Sequence, residues 1–396
     1  MFCLDGLKVI DMCNRLNGSY VAMFLGDFGA DVIRVDPPWP GTSFVYGVPE
    51  DRLAAYWCTD RNKRSMVLNL KDDSAREVFM QLVKKADVLI EGNRPGAMDK
   101  LGVGYSVLAE QNPRLIYAAL SGFGQDGPYK MMPAHDMNYV ALSGAMSLIG
   151  EKDGQPYMPS NLVADIGGAG MHALVGILLA LISRERTGRG QFVDISYLDS
   201  VISLLAFDIS GYFASGVVPH RGETQSTGSE VWGQVWRCKD GQYFCTGATE
   251  PKFWANLCSA IGRDDLVAAR TPHTDRDLSE EQKAKIKKEL ADIFVTKTRD
   301  EWFEIVKNLD TCATPVYNID EAVKDPHVLA RDMVVELDHP IFGKVKQPGL
   351  AIKLSDTPGS IRNLGVPKGT NTEEIIAELG YNEAEIAAMK ERGALG

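Results

Sequence analysis

The first third of the chain alternates between short apolar runs and longer segments with helical periodicity. The apolar runs are rich in Val, Ile and Leu, and they cover 7–12, 31–36, 65–70, 87–92 and 115–121. Runs of this length and composition predict buried strands. Helical segments follow at 20–28, 74–86 and 105–111. This alternation predicts an α/β fold, Rossmann-like, with a mostly parallel sheet covered by helices.

The second half of the chain predicts a change of domain. Helices at 139–149, 171–184 and 200–213 and a strand at 192–197 continue the first pattern, and a polar stretch with glycines follows at 216–228. Beyond it we predict strands at 234–237, 242–246, 334–337 and 350–354, and helices at 253–261, 280–294, 299–309 and 372–392. The predicted organisation is a large domain (1–215), a linker (216–230), a small α+β domain (231–325) and a return segment (326–396).

Composition narrows the class of function. The net charge of −11 argues against nucleic acid or an anionic membrane as the main partner. The seven cysteines form no CxxC pair, which favours reduced thiols and a cytoplasmic protein. The six histidines are scattered and show no metal-site spacing. The turn at 14–19 lacks GxGxxG, so a nicotinamide cofactor is not indicated, and the longest apolar run, 173–182, is shorter than a membrane span.

Two side chains that can carry a proton each stand where a helix is predicted to begin. His135 precedes the helical segment from 139, and Asp165 precedes the one from 171. An Asp at such a place often caps free backbone N–H groups, and a lone His is usually structural. Both residues, however, have small neighbours that let a ligand approach. Gly167 and Gly168 can offer N–H donors to a developing oxyanion.

Basic residues cluster in two loops that should follow the carboxyl ends of strands, where ligands of such sheets bind. Arg61, Lys63 and Arg64 lie close together in one loop, and Arg94 stands between glycines in the other. A solvated charge run is the common meaning of such a cluster. The alternative is a clamp for phosphate groups, which Arg and Lys bind through charge-assisted hydrogen bonds.

The stretches 133–139, 161–168 and 246–254 resemble active-site segments of the α-methylacyl-CoA racemase branch of the class III (formyl-CoA transferase-like) CoA-transferase family. The resemblance extends over nearly the whole chain and includes 310–316. It implies that His135 and Asp165 are two catalytic bases and that Glu250 helps to orient the catalytic His. It also implies an interlocked homodimer, whose large domain is built from both chain ends. The active site would then lie between one subunit's large domain and the other's small domain.

The resemblance extends to coenzyme A, as part of the substrate and with no further cofactor. It favours the clamp for Arg61, Lys63 and Arg64. The other residues at matching CoA-contacting places are Lys71, Gly92, Asn93, Arg94, Lys100, Ala134, Asp136, Met137, Asn138 and Tyr139. One departure is Pro37, where racemases can carry an Arg.

The implied function is inversion at C2 of 2-methyl-branched acyl-CoA thioesters. A class III CoA-transferase is the main alternative, because the matching Asp is a nucleophile there. The smaller domain lacks the run of glycines that those transferases often carry, which favours the racemase. Against this, 224–230 departs from the Leu-Asp-Gly-Gly-Ala-Pro stretch of racemases. A non-catalytic CoA-binding protein is a third alternative.

Overall fold

The computed structural model describes residues 1–13, 16–39, 50–270 and 278–395. The chain forms two compact units. The first comprises Met1–Ala145, Pro159–Ala206 and Leu329–Gly396, and the second comprises Met146–Met158 and Phe207–Val328. Each unit has its own apolar core.

A six-stranded sheet with strand order β3-β2-β1-β4-β5-β6 is the centre of the first unit. Every neighbouring pair in it is parallel. The strands are β1 (Lys8–Asp11), β2 (Asp31–Asp36), β3 (Lys63–Val67), β4 (Val88–Glu91), β5 (Ile116–Ser121) and β6 (Phe192–Ser196). The sequence predicted a parallel, Rossmann-like sheet, and this prediction is confirmed.

Helices of the first unit lie between these strands and directly after β6. They are α1 (Leu16–Asp27), α2 (Glu50–Tyr56), α3 (Asp73–Lys85), α4 (Ala97–Lys100), α5 (Tyr105–Gln111), α6 (Asp136–Leu142), α7 (Met171–Thr187) and α8 (Tyr197–Leu204). In α3, Val78, Phe79 and Leu82 recur at helical spacing and are buried in the core, while Asp72 caps the first turn by accepting hydrogen bonds from two backbone N–H groups.

The second unit contains an antiparallel sheet of three strands in the order β7-β8-β9. Its strands are β7 (Gly233–Arg237), β8 (Tyr243–Gly247) and β9 (Ala313–Val316). Its helices are α9 (Ala206–Ser215), α10 (Pro251–Ala260), α11 (Glu280–Phe294), α12 (Arg299–Val306), α13 (Ile319–Ala322) and α14 (Pro326–Ala330). The predicted smaller α+β fold is confirmed.

The end of the chain returns to the first unit. It forms the hairpin of β10 (Val334–His339) and β11 (Gly343–Pro348), followed by α15 (Thr372–Glu378) and α16 (Glu383–Glu391). Ile375, Ile376, Ile386 and Met389 belong to the same core as α3 and the sheet. The large unit is therefore built from both ends of the chain, as predicted. The prediction of a strand at 350–354 is wrong, because the second strand of the hairpin ends at Pro348.

One continuous helical segment within the described residues, Ser160–Thr187, has the length and apolar composition of a membrane span. It is longer than the apolar run seen in the sequence because Val163–Gly170 is π-helical and joins α7 directly. The core helices of soluble proteins meet the same criterion, and 39% of the apolar window is buried in the structure. The bent pair α8 and α9 also passes when the two helices are taken together.

Candidate functional site

The strand order places a topological switch point between β1 and β4. From β1 the chain continues to β2 and β3 on one side, while β4, β5 and β6 lie on the other. Ligands of open parallel sheets bind in the crevice beyond the carboxyl ends of the strands at such a point. The loop of Gly92, Asn93 and Arg94 follows β4 directly. The topology therefore puts Arg94, which is exposed, beside this crevice.

The buried carboxylate of Glu91 holds this loop in place. Glu91 ends β4 and is 5% exposed, and its Oε2 accepts hydrogen bonds from the backbone N of Asn93 at 2.6 Å and from Asn93 Nδ2 at 3.0 Å. Burial raises the pKa of Glu91 to about 7, although the two bonds from Asn93 act in the opposite direction. Gly96, five residues after the end of β4, has a φ of 78°, a conformation that glycine adopts without strain. The loop is thus fixed by local contacts.

Arg61 and Lys63 have partners inside the first unit. Arg61 is 2% exposed, and its Nη2 lies 2.6 Å from Asp27 Oδ2. Lys63 Nζ lies 2.7 Å from Asp11 Oδ2 and donates to the Ser19 carbonyl oxygen at 2.9 Å. The buried ion pairs of Arg61 and Lys63 differ from both interpretations of the sequence, the phosphate clamp and the solvated charge run. Buried carboxylates already neutralise both cations.

Arg64 is also paired, at the surface. Its guanidinium lies 3.0 Å from Asp31 Oδ2 and 2.8 Å from Glu378 Oε1. Because Glu378 belongs to α15, Arg64 fastens the returning chain to β2 and β3. The three cations that looked alike in the sequence therefore stabilise the fold at three separate places.

Trp39 is a residue of this edge that the sequence analysis missed. It lies three residues beyond the end of β2 and is 49% exposed. Lys71 Nζ is 5.2 Å from its ring centroid, and Lys368 Nζ donates to its carbonyl oxygen at 2.7 Å. The sequence signal that could have identified this residue was a Trp directly after two prolines. Trp39 thus brings an aromatic ring close to two ammonium groups. The Lys71 ammonium, from a predicted CoA contact, lies over the ring, and the Lys368 ammonium bonds to the backbone.

His135 stands at the N-cap of α6 and is exposed. Its backbone N–H donates to Asn138 Oδ1 at 3.0 Å, and the Tyr139 hydroxyl donates to the Ala134 carbonyl oxygen at 3.0 Å. Tyr139 is buried and contacts the rings of Phe123 and Tyr197. The sequence predicted the helix from residue 139, whereas α6 begins at Asp136 and ends at Leu142. His135 is thus held by its own short segment.

Asp165 lies in the first turn of the π-helix Val163–Gly170 and is half-buried. The sequence placed it before a helix, whereas the structure places it inside a helical segment that continues into α7. π-Helical turns are rare in proteins, but those that occur are frequently found at functional sites. A π-helical turn is wider than an α-helical turn, and this changes the direction of its side chains.

Asp136 joins the two candidate segments. Its Oδ2 accepts hydrogen bonds from the backbone N of Ala164 at 2.9 Å and of Asp165 at 2.8 Å. The start of α6, next to His135, is therefore tied to the turn that carries Asp165. Burial raises the pKa of Asp136, opposed by the two backbone bonds.

Gly167 and Gly168 lie inside the π-helix, and Gly168 is buried. A Cβ atom on Gly167 would approach the Leu162 carbonyl oxygen to 3.0 Å, and one on Gly168 would approach that of Val163 to 2.8 Å. The close approach of these carbonyl oxygens is therefore a structural reason for glycine at both positions. The sequence analysis placed both glycines before the predicted helix start at 171, whereas the structure places them inside the helical segment.

Glu250 belongs to the second unit, where it is the N-cap of α10. Its Oε2 accepts a hydrogen bond from Thr249 Oγ1 at 2.7 Å, and the side chain is exposed. Among the described residues, no group of three or more His, Cys, Asp or Glu side chains is arranged to hold a metal ion.

Comparison with known proteins gives a match to the family model of CoA-transferase family III over residues 4–372. The chain belongs to this family. Alpha-methylacyl-CoA racemase from Homo sapiens is 36% identical over 383 residues, covering 97% of this chain and 95% of the relative. Formyl-CoA:oxalate CoA-transferase from Escherichia coli is 31% identical over 425 residues, covering 99% of each. The crystal structure of a CaiB/BaiF family protein from Brucella suis is 29% identical, with a TM-score of 0.80, and covers 96% of this chain and 99% of that one.

These similarities confirm the predicted family. The relatives of this family III chain include racemases and CoA-transferases, enzymes named for acyl-CoA substrates. Both chemistries occur among proteins that match the chain over nearly its full length. The choice between the two must therefore be argued from the site.

The buried Glu91 predicts a specific pH dependence of stability. Folding raises its pKa from 4.5 to about 7, so between these values the folded chain holds a proton that the unfolded chain has released. Its contribution to the free energy of unfolding therefore falls as the pH rises through this window. Glu91→Gln keeps an oxygen that can accept both bonds from Asn93, and it should flatten this part of the pH profile. Urea unfolding at several pH values measures the effect.

Glu110→Gln, an exposed substitution on α5, is the matched control and should keep the wild-type profile. Identical profiles for Glu91→Gln and wild type would contradict the assignment.

Proposed function

We propose that this chain is a racemase or epimerase that inverts C2 of 2-methyl-branched acyl-CoA thioesters. The observation that carries the proposal is the link through Asp136, which joins the His135 segment to the turn of Asp165. A two-base reaction needs two proton-carrying groups held in a fixed relation to one substrate carbon, and a connection between their backbone segments supports this. The identity of 36% to a racemase supports the same choice.

In the proposed reaction one base removes the proton from C2. The electron pair of the C–H bond moves into the thioester carbonyl and forms an enolate. The other group, in its acid form, donates a proton to the opposite face of C2, and the carbonyl is restored. His135 and Asp165 exchange these roles with the direction of reaction. One well-placed donor to the enolate oxygen contributes about 3 kcal/mol to such a step. We assign to Glu250 of a partner chain the orientation of His135, as the family resemblance implies.

The alternative function is CoA transfer between carboxylic acids. In it Asp165 attacks the thioester carbonyl, CoA leaves as a thiolate, and an acyl anhydride forms on the carboxylate. The identity of 31% to a CoA-transferase keeps this candidate in place. A non-catalytic CoA-binding protein would not need His135, Asp165 and Glu250 together, and this makes it the weakest of the three.

For the CoA moiety we propose contacts at the carboxyl edge of the sheet. Arg94 and Lys100 supply exposed positive charge after β4, together with Gly92 and Asn93. After β2 and β3, Lys71 lies over the Trp39 ring, and Lys368 donates to the Trp39 carbonyl oxygen. An aromatic face binds a base by stacking, so Trp39 can serve the adenine where Pro37 replaces an Arg. Ala134, Met137, Asn138 and Tyr139 remain proposed contacts. We leave out Arg61, Lys63 and Arg64, and also Asp136, whose buried carboxylate accepts hydrogen bonds from Ala164 and Asp165.

We also propose that the protein is a homodimer. Val175, Leu178, Leu179 and Ile182 recur at helical spacing on α7 and are exposed in the single chain, with Leu179 at 61%. An apolar stripe of this kind on a helix usually covers another surface. A second copy of the chain fits the dimer that the family resemblance implies.

The first experiment decides between the two reactions. In D₂O, with no acceptor acid, we expect the enzyme to exchange the C2 hydrogen of a 2-methylacyl-CoA and to invert the centre. Asp165→Asn and His135→Ala should each abolish inversion, because inversion needs a group on both faces. Each variant should still exchange the hydrogen of the one epimer whose base remains. Proton NMR and chiral analysis of the thioester measure both.

The transferase predicts the opposite results. It would be inert until a carboxylate acceptor is added, and His135→Ala would keep substantial activity. Hydroxylamine with acyl-CoA would then modify Asp165, which mass spectrometry of its peptide detects. We expect an unmodified Asp165.

The second experiment concerns CoA affinity. Arg94→Ala should weaken CoA binding about tenfold or more, because a charge-assisted bond to phosphate is lost. The fold should be unchanged, since Arg94 is exposed. Arg189→Ala is a matched control, an exposed Arg at the opposite edge of the sheet, before β6. Titration calorimetry with CoA compares them, and equal affinity for the two variants would refute the contact.

The third experiment concerns assembly. Light scattering at low micromolar concentration should give twice the mass of one chain, and Leu179→Glu should reduce the dimer by placing a charge in the apolar stripe. A stable, active monomer would contradict the proposal. So would binding of lipid vesicles by the stripe in place of a second copy.

A further inference from the structure

The Asp136 side chain is buried yet only half satisfied. The residue is 7% exposed, and its Oδ2 receives both backbone bonds from Ala164 and Asp165. Its Oδ1 is buried and has no hydrogen-bond partner among the residues that the structure describes. Buried polar atoms are normally paired, so an exception calls for a reason beyond stability.

The turn that receives these bonds depends on side chains for its shape. In a π-helix each N–H bonds to a carbonyl five residues back, so more N–H groups at its start lack a partner than in an α-helix. Asp136 supplies the acceptor for two of them. Further along, His172 Nδ1 lies 2.8 Å from the Gly168 carbonyl oxygen. The conformation around Asp165 is therefore braced from outside its own backbone.

His135 does not depend on Asp136 in the same way. Asn138 accepts from its backbone N–H, and Tyr139, which is buried, donates to Ala134 beside it. Removal of the Asp136 carboxylate would leave these bonds intact while it releases the N–H groups of Ala164 and Asp165. The two proposed bases thus differ in what holds them.

From this difference we infer that Asp136 is a positioning residue, which fixes Asp165 against the substrate carbon by holding the first turn of the π-helix. It acts through Asp165 and gives or takes no proton of the substrate itself. The inference rests on the proposed two-base reaction for its effect on activity. The structural claim, that Asp136 holds the first turn of the π-helix, does not depend on that reaction.

An ordinary helix cap is the simpler explanation, and the chain offers a direct comparison. Asp325 Oδ1 accepts from the backbone N of His327 at 2.8 Å and of Val328 at 3.2 Å, both at the start of the helix that follows it. Asp136 also accepts two consecutive N–H groups, but they lie 28 and 29 residues further along the chain. A cap serves its own helix, whereas Asp136 serves another segment.

The experiment compares Asp136→Ala and Asp136→Asn with Asp325→Ala. Hydrogen exchange at C2 is measured for each epimer separately, and Asp165→Asn identifies the epimer that uses Asp165. Asp136→Ala should slow exchange of that epimer roughly a hundredfold, the cost of a misplacement of about 1 Å. The other epimer should keep a rate near that of wild type. Asp136→Asn retains an acceptor oxygen and should recover most of the loss. Asp325→Ala should lower the melting temperature and leave both rates unchanged.

A second measurement does not need the reaction. Deuterium exchange of backbone amides, followed by mass spectrometry, should show faster exchange at Ala164 and Asp165 in Asp136→Ala than in wild type. If the Ala variant does not fold, Asp136→Ser takes its place, since a Ser hydroxyl is shorter but can still bond locally. Equal slowing of both epimers, or unchanged protection of the two amides, would overturn the inference. If wild type shows no exchange at C2, the proposed function fails, and amide protection alone decides the role of Asp136.

Discussion

The large unit depends on a carboxylate buried at the end of α1, whose negative charge must be neutralised inside the fold. The Asp27 carboxylate, 1% exposed, accepts from Arg61 and from Asn62, which precede β3. Arg61 in turn donates to the Pro348 carbonyl oxygen, and Asn62 donates to that of Ser360. One carboxylate thus connects α1, the start of β3 and the returning chain. Loss of one partner of a buried pair costs about 3–5 kcal/mol, because the other charge is left uncompensated.

Local periodicity made the sheet predictable. Strand β2 and helices α5 and α11 have the predicted bounds, because each combines a clear apolar pattern with a cap or a glycine turn. Strand β11 was missed because only Val345 and Gln347 of it are buried, and one of these is polar. The structural role of Arg61 and Lys63 was equally hidden. Their partners lie 34 and 52 residues away, and a run of charges looks like surface in a single sequence.

The site was predicted as residue types and not as geometry. His135 and Asp165 stood out because each has small neighbours at a helix start, and the family resemblance connected them. The π-helix could not be read from the sequence, and the Asp136 carboxylate that accepts bonds from its first turn lies 29 positions before Asp165. The relatives that match nearly the whole chain include both racemases and CoA-transferases.

The returning chain has a consequence for the order of folding during synthesis. Ile375, Met389 and Leu395 complete the apolar core, and Asn69 N–H donates to the Ala394 carbonyl oxygen at 2.9 Å. The strands of the sheet leave the ribosome long before these residues do. Until residue 395 emerges, the nascent chain exposes the apolar side of α3 and β3. The second unit is contiguous in sequence apart from 146–158, and its core can close earlier. Chaperones would therefore be needed most by the part of the protein that is made first.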